Sequence, residues 1–202
     1  MIRKLACLAL VSGAASPLAH SHNFWIEPQT YEVEAGETVP LNIFTGHGED
    51  KASWPFEARR VIGLRSVGPG GLTSHLAGGT GSPALRFDTD GLHMVFIEST
   101  NSFSRLAGEK FEAYVEEEGI LPIAARRLID GDASADGKEI YSRRGKALVK
   151  VGCDVPEDQS WSRPLGLTLE IIPMSNPFEW DAGDALSVEV RFHGQPLTSA
   201  TM

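Results

Sequence analysis

The sequence predicts a mainly β protein: an antiparallel sandwich carrying a small helical insertion. Three observations carry that reading. Apolar and polar residues alternate over short runs, as in Thr38–Phe44, where Val39, Leu41 and Ile43 share one face. Glycine-rich turns separate the runs, among them Gly68-Pro69-Gly70-Gly71 and the hairpin signal Asp88-Thr89-Asp90-Gly91. Between about 108 and 130 the apolar spacing changes to that of helices.

The chain opens on Arg3 and Lys4, followed by an apolar run, Leu5–Ala15, that Pro17 breaks. A membrane span needs about 20 apolar residues; this run is shorter and has the flanks of a secretory signal. Cutting after Ser21 sets the small residues Ala19 and Ser21 at the two positions a signal peptidase reads, whereas cutting after Ala19 sets Pro17 at the first of them. Residues 1–21 are therefore expected to be a signal peptide, with His22 opening a periplasmic or secreted mature chain. An N-terminal anchor that is never cut is the plainer alternative.

His22–Pro28 alternates, with Phe24 and Ile26 on one face, and Thr30–Glu34 continues it to a turn at Ala35-Gly36. The outward leg from His22 and the return leg to His47 are of similar length. An antiparallel hairpin would thus return Gly46-His47-Gly48 toward the end where His22 starts. Arg59–Val67, a short Leu72–Leu76, Ala84–Phe87 and Leu92–Ser99 are the next strands. Gly108–Glu118 reads as a helix with Phe111, Tyr114 and Val115 on one face and Gly119 as its stop. Pro122 suits the first turn of a second helix carrying Ile123, Leu128 and Ile129 and ending at Gly131. Arg144–Val151 and Leu165–Pro173 return to strand pattern, closing a domain of residues 22–174. Ser175 onward makes a fresh start: a turn at Asp181–Asp184, an alternating Leu186–Phe192 and a turn at His193–Pro196. Residues 175–202 read as an extra hairpin or the opening of a truncated second β domain.

Loss of the signal removes two bases and no acid, taking the net charge from −9 to −11. An acidic chain without a Lys/Arg cluster is not expected to bind nucleic acid or an anionic membrane. Of the two cysteines only Cys153 lies in the mature chain, so no disulfide framework is expected. The thiol reads as a small buried hydrophobe or a weak metal ligand. No G-x-S-x-G, P-loop, H-E-x-x-H or C-x-x-C motif is present, and no catalytic residue is assigned.

The histidines are the chemically informative residues. At a free N-terminus, the α-amine and ring Nδ1 of His22 can close on one metal ion, and one further imidazole completes a three-nitrogen site. Amine and imidazole lose their protons near neutral pH, at about 7.7–8.0 and 6.5, so a metal displaces them at little cost. Such donors suit copper, nickel and zinc, with copper(II) held tightest. His47, between two glycines and followed by Glu49 and Asp50, and His93, just after a tight turn, are the candidate further ligands. Glu49 is a possible addition. So is His20, because cleavage after Ala19 would leave His20-Ser21-His22 as a two-imidazole terminus. Each histidine also has a plain reading as a strand or turn residue, which is preferred for His75 and His193. The aromatic residues Phe24, Trp25, Trp54, Trp161 and Trp180 read as core or rim packing rather than a ligand surface.

The ordered motifs resemble a family of secreted bacterial proteins of unknown function, historically labelled a nickel-uptake (NikM-like) substrate-specific component. The similarity lies in a signal running into His22-Asn23-Phe24-Trp25-Ile26-Glu27-Pro28 and in Gly46-His47-Gly48-Glu49. It continues through the helical Lys110–Gly119, Tyr141-Ser142-Arg143 leading into Lys146–Val149, and Gly183-Asp184 with Gly194-Gln195-Pro196-Leu197. The family's strand usually opens His-Asp; Asn23 departs from that and removes one possible carboxylate. The resemblance implies an immunoglobulin-like or carboxypeptidase-regulatory-like sandwich, and members that continue beyond residue 202. It also implies capture or delivery of nickel, cobalt or copper, with a membrane metal importer as partner and no membrane span in the mature chain. Two other classes stay open. A copper-dependent oxidative enzyme would use the terminal histidine as a brace, and an interaction module would leave the histidines incidental.

Overall fold

Alternation becomes burial in the first strands. The computed structural model describes residues 23–76, 82–153 and 159–198, so the expected signal segment, with His20 and His22, lies outside the described residues. In β1 (Asn23–Pro28) Ile26 is buried, with Phe24 on the same face against the core. Past Pro28 the chain changes partner. The Thr30 hydroxyl donates to the Glu32 carbonyl (2.9 Å), and β2 (Glu32–Val33) runs parallel to Lys150 and Val151 of a later strand. β3 (Thr38–His47) then returns antiparallel along β1, burying Val39, Leu41 and Ile43 as their spacing predicts. The up-and-back arithmetic holds for β1 and β3. The expected continuation through Thr30–Glu34 instead crosses to the opposite sheet.

The remaining strands are β4 (Asp50–Ser53), β5 (Val61–Gly68), β6 (Gly71–Ser74), β7 (Ala84–Arg86), β8 (Gly91–Ser99) and β9 (Ser102–Leu106). After helices α1 (Gly108–Glu117) and α2 (Leu121–Asp130) come β10 (Gly137–Tyr141), β11 (Arg144–Val151), β12 (Leu169–Pro173), β13 (Val188–Phe192) and β14 (Gln195–Pro196). One sheet has the order β1-β3-β4, with β7 also paired to β3; the other has the order β2-β11-β8-β5-β6. The first strand is thus divided between two largely antiparallel sheets that share a core, which is a β-sandwich. Ile26, Leu41 and Leu85 meet Leu64, Val95, Ile97 and Val149 there. Burying each such side chain contributes about 1.5–3 kcal/mol before conformational entropy is set against it.

β8 is buried on both faces, which explains why Leu92–Ile97 is nearly continuous in apolar character. Val95 and Ile97 point into the sandwich core. Leu92, Met94 and Phe96 point the other way, where Trp161, Leu165, Leu167 and Phe178 cover them. The segment ending in β12 therefore lies over the outer face of the second sheet. β12 does not close the sandwich as its position in the sequence suggests. It pairs with β13, and β13 with β14, in a three-stranded sheet spanning residues 169–196. His193 (φ 49°) and Gly194 (φ 76°) form the tight β13–β14 turn, both left-handed as a type I′ hairpin requires.

Arg105–Lys138 forms a compact unit of its own. Its helices end before Gly119 and Gly131, and Pro122 lies in the first turn of α2, as the sequence predicts. Phe111 and Val115 are buried, and the Arg127 guanidinium binds Glu112 and the Ala135 carbonyl. In α2, by contrast, Ile123, Leu128 and Ile129 are all exposed. Among the described residues no helix is long and apolar enough to cross a membrane.

Candidate functional site

The β1–β3 register places Asn23 opposite Gly46, and the β3–β4 register places Gly46 opposite Lys51 and His47 opposite Asp50. The N-terminal end of β1 and the tip of the β3–β4 hairpin are therefore neighbours. Gly46 is required there: its φ of 146° suits glycine, and a Cβ would run into the Asp50 carbonyl. His47, Glu49 and Asp50 are exposed at this tip. Lys51, a cation beside this tip, is engaged: its Nζ is 3.1 Å from Glu27 Oε2 and 4.2 Å from the Phe44 ring centre. Among the described residues no group of three or more His, Cys, Asp or Glu side chains is arranged to hold a metal ion. His22 and His20 lie outside that set.

His93 is not part of this end. Phe24 lies beside Gly145 of β11, whereas His93 lies opposite Val149. Four residues of strand separate those positions by roughly 13 Å. The turn that precedes His93 belongs to the end where the Gly36 amide bonds the Phe87 carbonyl. His93 is 4% exposed, its Nε2 donates to the Thr89 carbonyl (2.9 Å), and Phe87 packs on its ring. The expectation that His93 joins His47 is corrected accordingly. An apolar run buried on both faces was the signal that this histidine belongs to the packing. Gly68 confirms how tight that packing is, because a Cβ there would enter the His93 ring. Gly68→Ala is expected to cost at least about 1–3 kcal/mol by overpacking, read as a lower denaturation midpoint at unchanged slope.

His75 is structural too. The Arg86 amide donates to its Nδ1 (3.4 Å), so the ring proton is on Nε2, which donates to Ser66 Oγ (2.8 Å). Burial first, and then the charge of His93, lower its pKa from 6.5 to about 4. The unfolded chain takes up that proton below pH 6.5 and the folded chain only near 4. Stability on this account falls as pH drops from 6.5 toward 4. With solvent screening of a partly exposed ring, the loss is expected to be no more than about 2 kcal/mol. Thermal melts of His75→Gln across that range should show a shallower acid slope than the parent.

A second locus was not singled out from the sequence. Arg144, Lys146 and Leu148 alternate along the outward face of β11 and line a cleft of about 600 Å³. β1 supplies Phe24 and Trp25 to it, and β12 and β13 supply Leu169, Ile171, Pro173 and Val188. At its margin Glu170, 3% exposed, accepts bonds from Lys146 Nζ (2.9 Å) and the amides of Leu165 (2.8 Å) and Gly166 (3.0 Å). Lys146 also donates to the Ile171 carbonyl (3.1 Å). Burial lowers the Lys146 pKa, and the hydrogen bond and charge of Glu170 oppose that shift. The alternation in Arg144-Gly145-Lys146-Ala147-Leu148 already put two cations on one face with a leucine. What it lacked was the segment that covers that face.

Cys153 is exposed, not the buried small hydrophobe its isolation suggested. The model of a family described as a domain of unknown function (DUF4198) matches residues 19–202. Neither the curated proteins nor the solved structures include a match to the chain.

Proposed function

The chain belongs to this family of unknown function, and from that premise we propose that it captures a divalent transition-metal ion outside the cytoplasm and delivers it for uptake. The donors are the α-amine and ring of His22 and the ring of His47, with Glu49 in reach of the same tip. The observation that carries this reading is the Asn23↔Gly46 pairing, which brings the start of β1 to the hairpin that holds His47. The donor chemistry fits. Nitrogen ligands select nickel, cobalt, copper or zinc over the oxygen-preferring calcium and magnesium. Pairing of Lys51 with Glu27 leaves the acidic Glu49 and Asp50 to favour a cation. The resemblance to the nickel-uptake (NikM-like) component favours nickel or cobalt and a membrane importer as the recipient.

The test is intact mass of the secreted protein under native conditions, with and without nickel(II) or copper(II), beside a His22→Ala variant. The expected result is a chain starting at His22 that retains one ion, lost in the variant. A different N-terminus together with no retained ion would remove this reading.

A further inference from the structure

The cleft beside β11 differs from the rest of an acidic surface. Of the described residues that line it, the only charged ones are Arg144 and Lys146, in a chain with 27 acidic and 18 basic residues. Lys146 is offset by Glu170 at 2.9 Å. Arg144 is held differently. It donates to two neutral hydroxyls, Ser142 Oγ (2.9 Å) and Thr168 Oγ1 (3.1 Å). Its Nε is buried with no hydrogen-bond partner, the Glu98 carboxylate standing 3.7 Å away. A guanidinium carries five N–H donors; two go to those hydroxyls and the buried Nε faces Glu98, so two Nη hydrogens remain where Arg144 lines the apolar cleft. Those remaining donors pose the question of what acceptor the cleft takes.

The opposite wall poses the same question in apolar terms. Leu169 and Ile171 project from β12 away from Glu170 and are each 47% exposed, and Leu186 at the rim is 47% exposed. Contiguous apolar surface of this kind, rimmed by polar residues, marks a binding site more often than bare solvent contact. The volume, about 600 Å³, is that of a small-molecule site.

We propose that this cleft binds a free single-chain amphiphile, an apolar body with one carboxylate head. The body lies between Trp25 and the exposed face of β12, and the head makes a paired hydrogen bond with Arg144. Planar carboxylate and planar guanidinium match in geometry as well as charge. The remaining Arg144 donors select an acceptor-rich head, and the apolar lining rejects a small hydrophilic ligand. The proposal is independent of the metal reading, because none of its residues is a proposed metal donor.

The test is titration calorimetry on the chelator-treated full chain with dodecanoate and with neutral dodecanol. Dodecanoate should bind saturably at one site, roughly tenfold or more tighter than dodecanol, the worth of a charge-assisted contact. Arg144→Gln should abolish that preference while retaining weak binding of both. Leu186→Glu, at an exposed position where folding is not at stake, should weaken dodecanoate at least about tenfold with Arg144 in place. Absence of saturable dodecanoate binding, equal affinities for the two probes in the parent protein, or indifference to Leu186→Glu would each overturn it.

Discussion

Glu170→Ala is expected to lower folding stability by about 3–5 kcal/mol, the cost of stranding one partner of a buried ion pair. Set against a total of about 5–15 kcal/mol, that is a large fraction. The magnitude follows from what the carboxylate satisfies. It takes a bond from Lys146 and two from the amides of Leu165 and Gly166. Alanine would leave an ammonium and the amide N–H groups of Leu165 and Gly166 without their acceptor. Glu170→Gln keeps one acceptor oxygen and should cost less. Replacing both partners with apolar residues, Glu170→Leu with Lys146→Met, should recover much of the loss, because the penalty lies in the unmatched charge. Urea denaturation distinguishes these cases, and a Glu170→Ala loss under about 1 kcal/mol would mean that the pair is effectively solvated.

The same pair sets an alkaline dependence. Burial lowers the pKa of Lys146 in the folded protein from its ordinary 10.5. Between the lowered value and 10.5 the unfolded chain holds more protons than the folded one. On this account stability rises with pH across that window.

The sandwich was legible because its strands obey one rule each. Val39, Leu41 and Ile43 alternate against a single core, and the glycines at 119 and 131 stop their helices where the pattern ends. Places where two rules compete were not legible. Leu165–Pro173 has a strand pattern, but pattern gives no partner, and β12 chose β13 over the sandwich. Thr30–Glu34 reads as a continuation of β1, yet after Gln29, whose amide still bonds the Pro40 carbonyl (2.9 Å), the chain crosses to β11. Of the site, the hairpin end could be counted from residue spacing. The distance of His93 from it could not, since it depends on the register of β8 against β11. The Arg144 cleft exists only because residues 165–188 fold back over a face that the local sequence leaves open.

His47→Ala is the sharpest test of the metal proposal, because the variant separates ligation from stability. His47 is exposed at a hairpin tip, where substitutions usually change stability by no more than about 0.5 kcal/mol. Removing one of three nitrogen donors should therefore leave the melting transition in place. It should weaken nickel(II) or copper(II) by more than the roughly 10- to 100-fold lost with a mere supporting contact. His93→Gln should do the reverse. Its ring is buried against Phe87 and Gly68, so stability should fall while metal affinity stays at the parent value. Affinity in the parent should also decline with acidification, since amine and imidazole bind a metal only after losing their protons. Competition titrations against a chelator of known affinity read all three effects. Parent-level retention in His47→Ala would take the hairpin out of the site and leave the terminal residues to bind alone. An affinity loss in His93→Gln at unchanged stability would contradict the separation of the two histidines along β11.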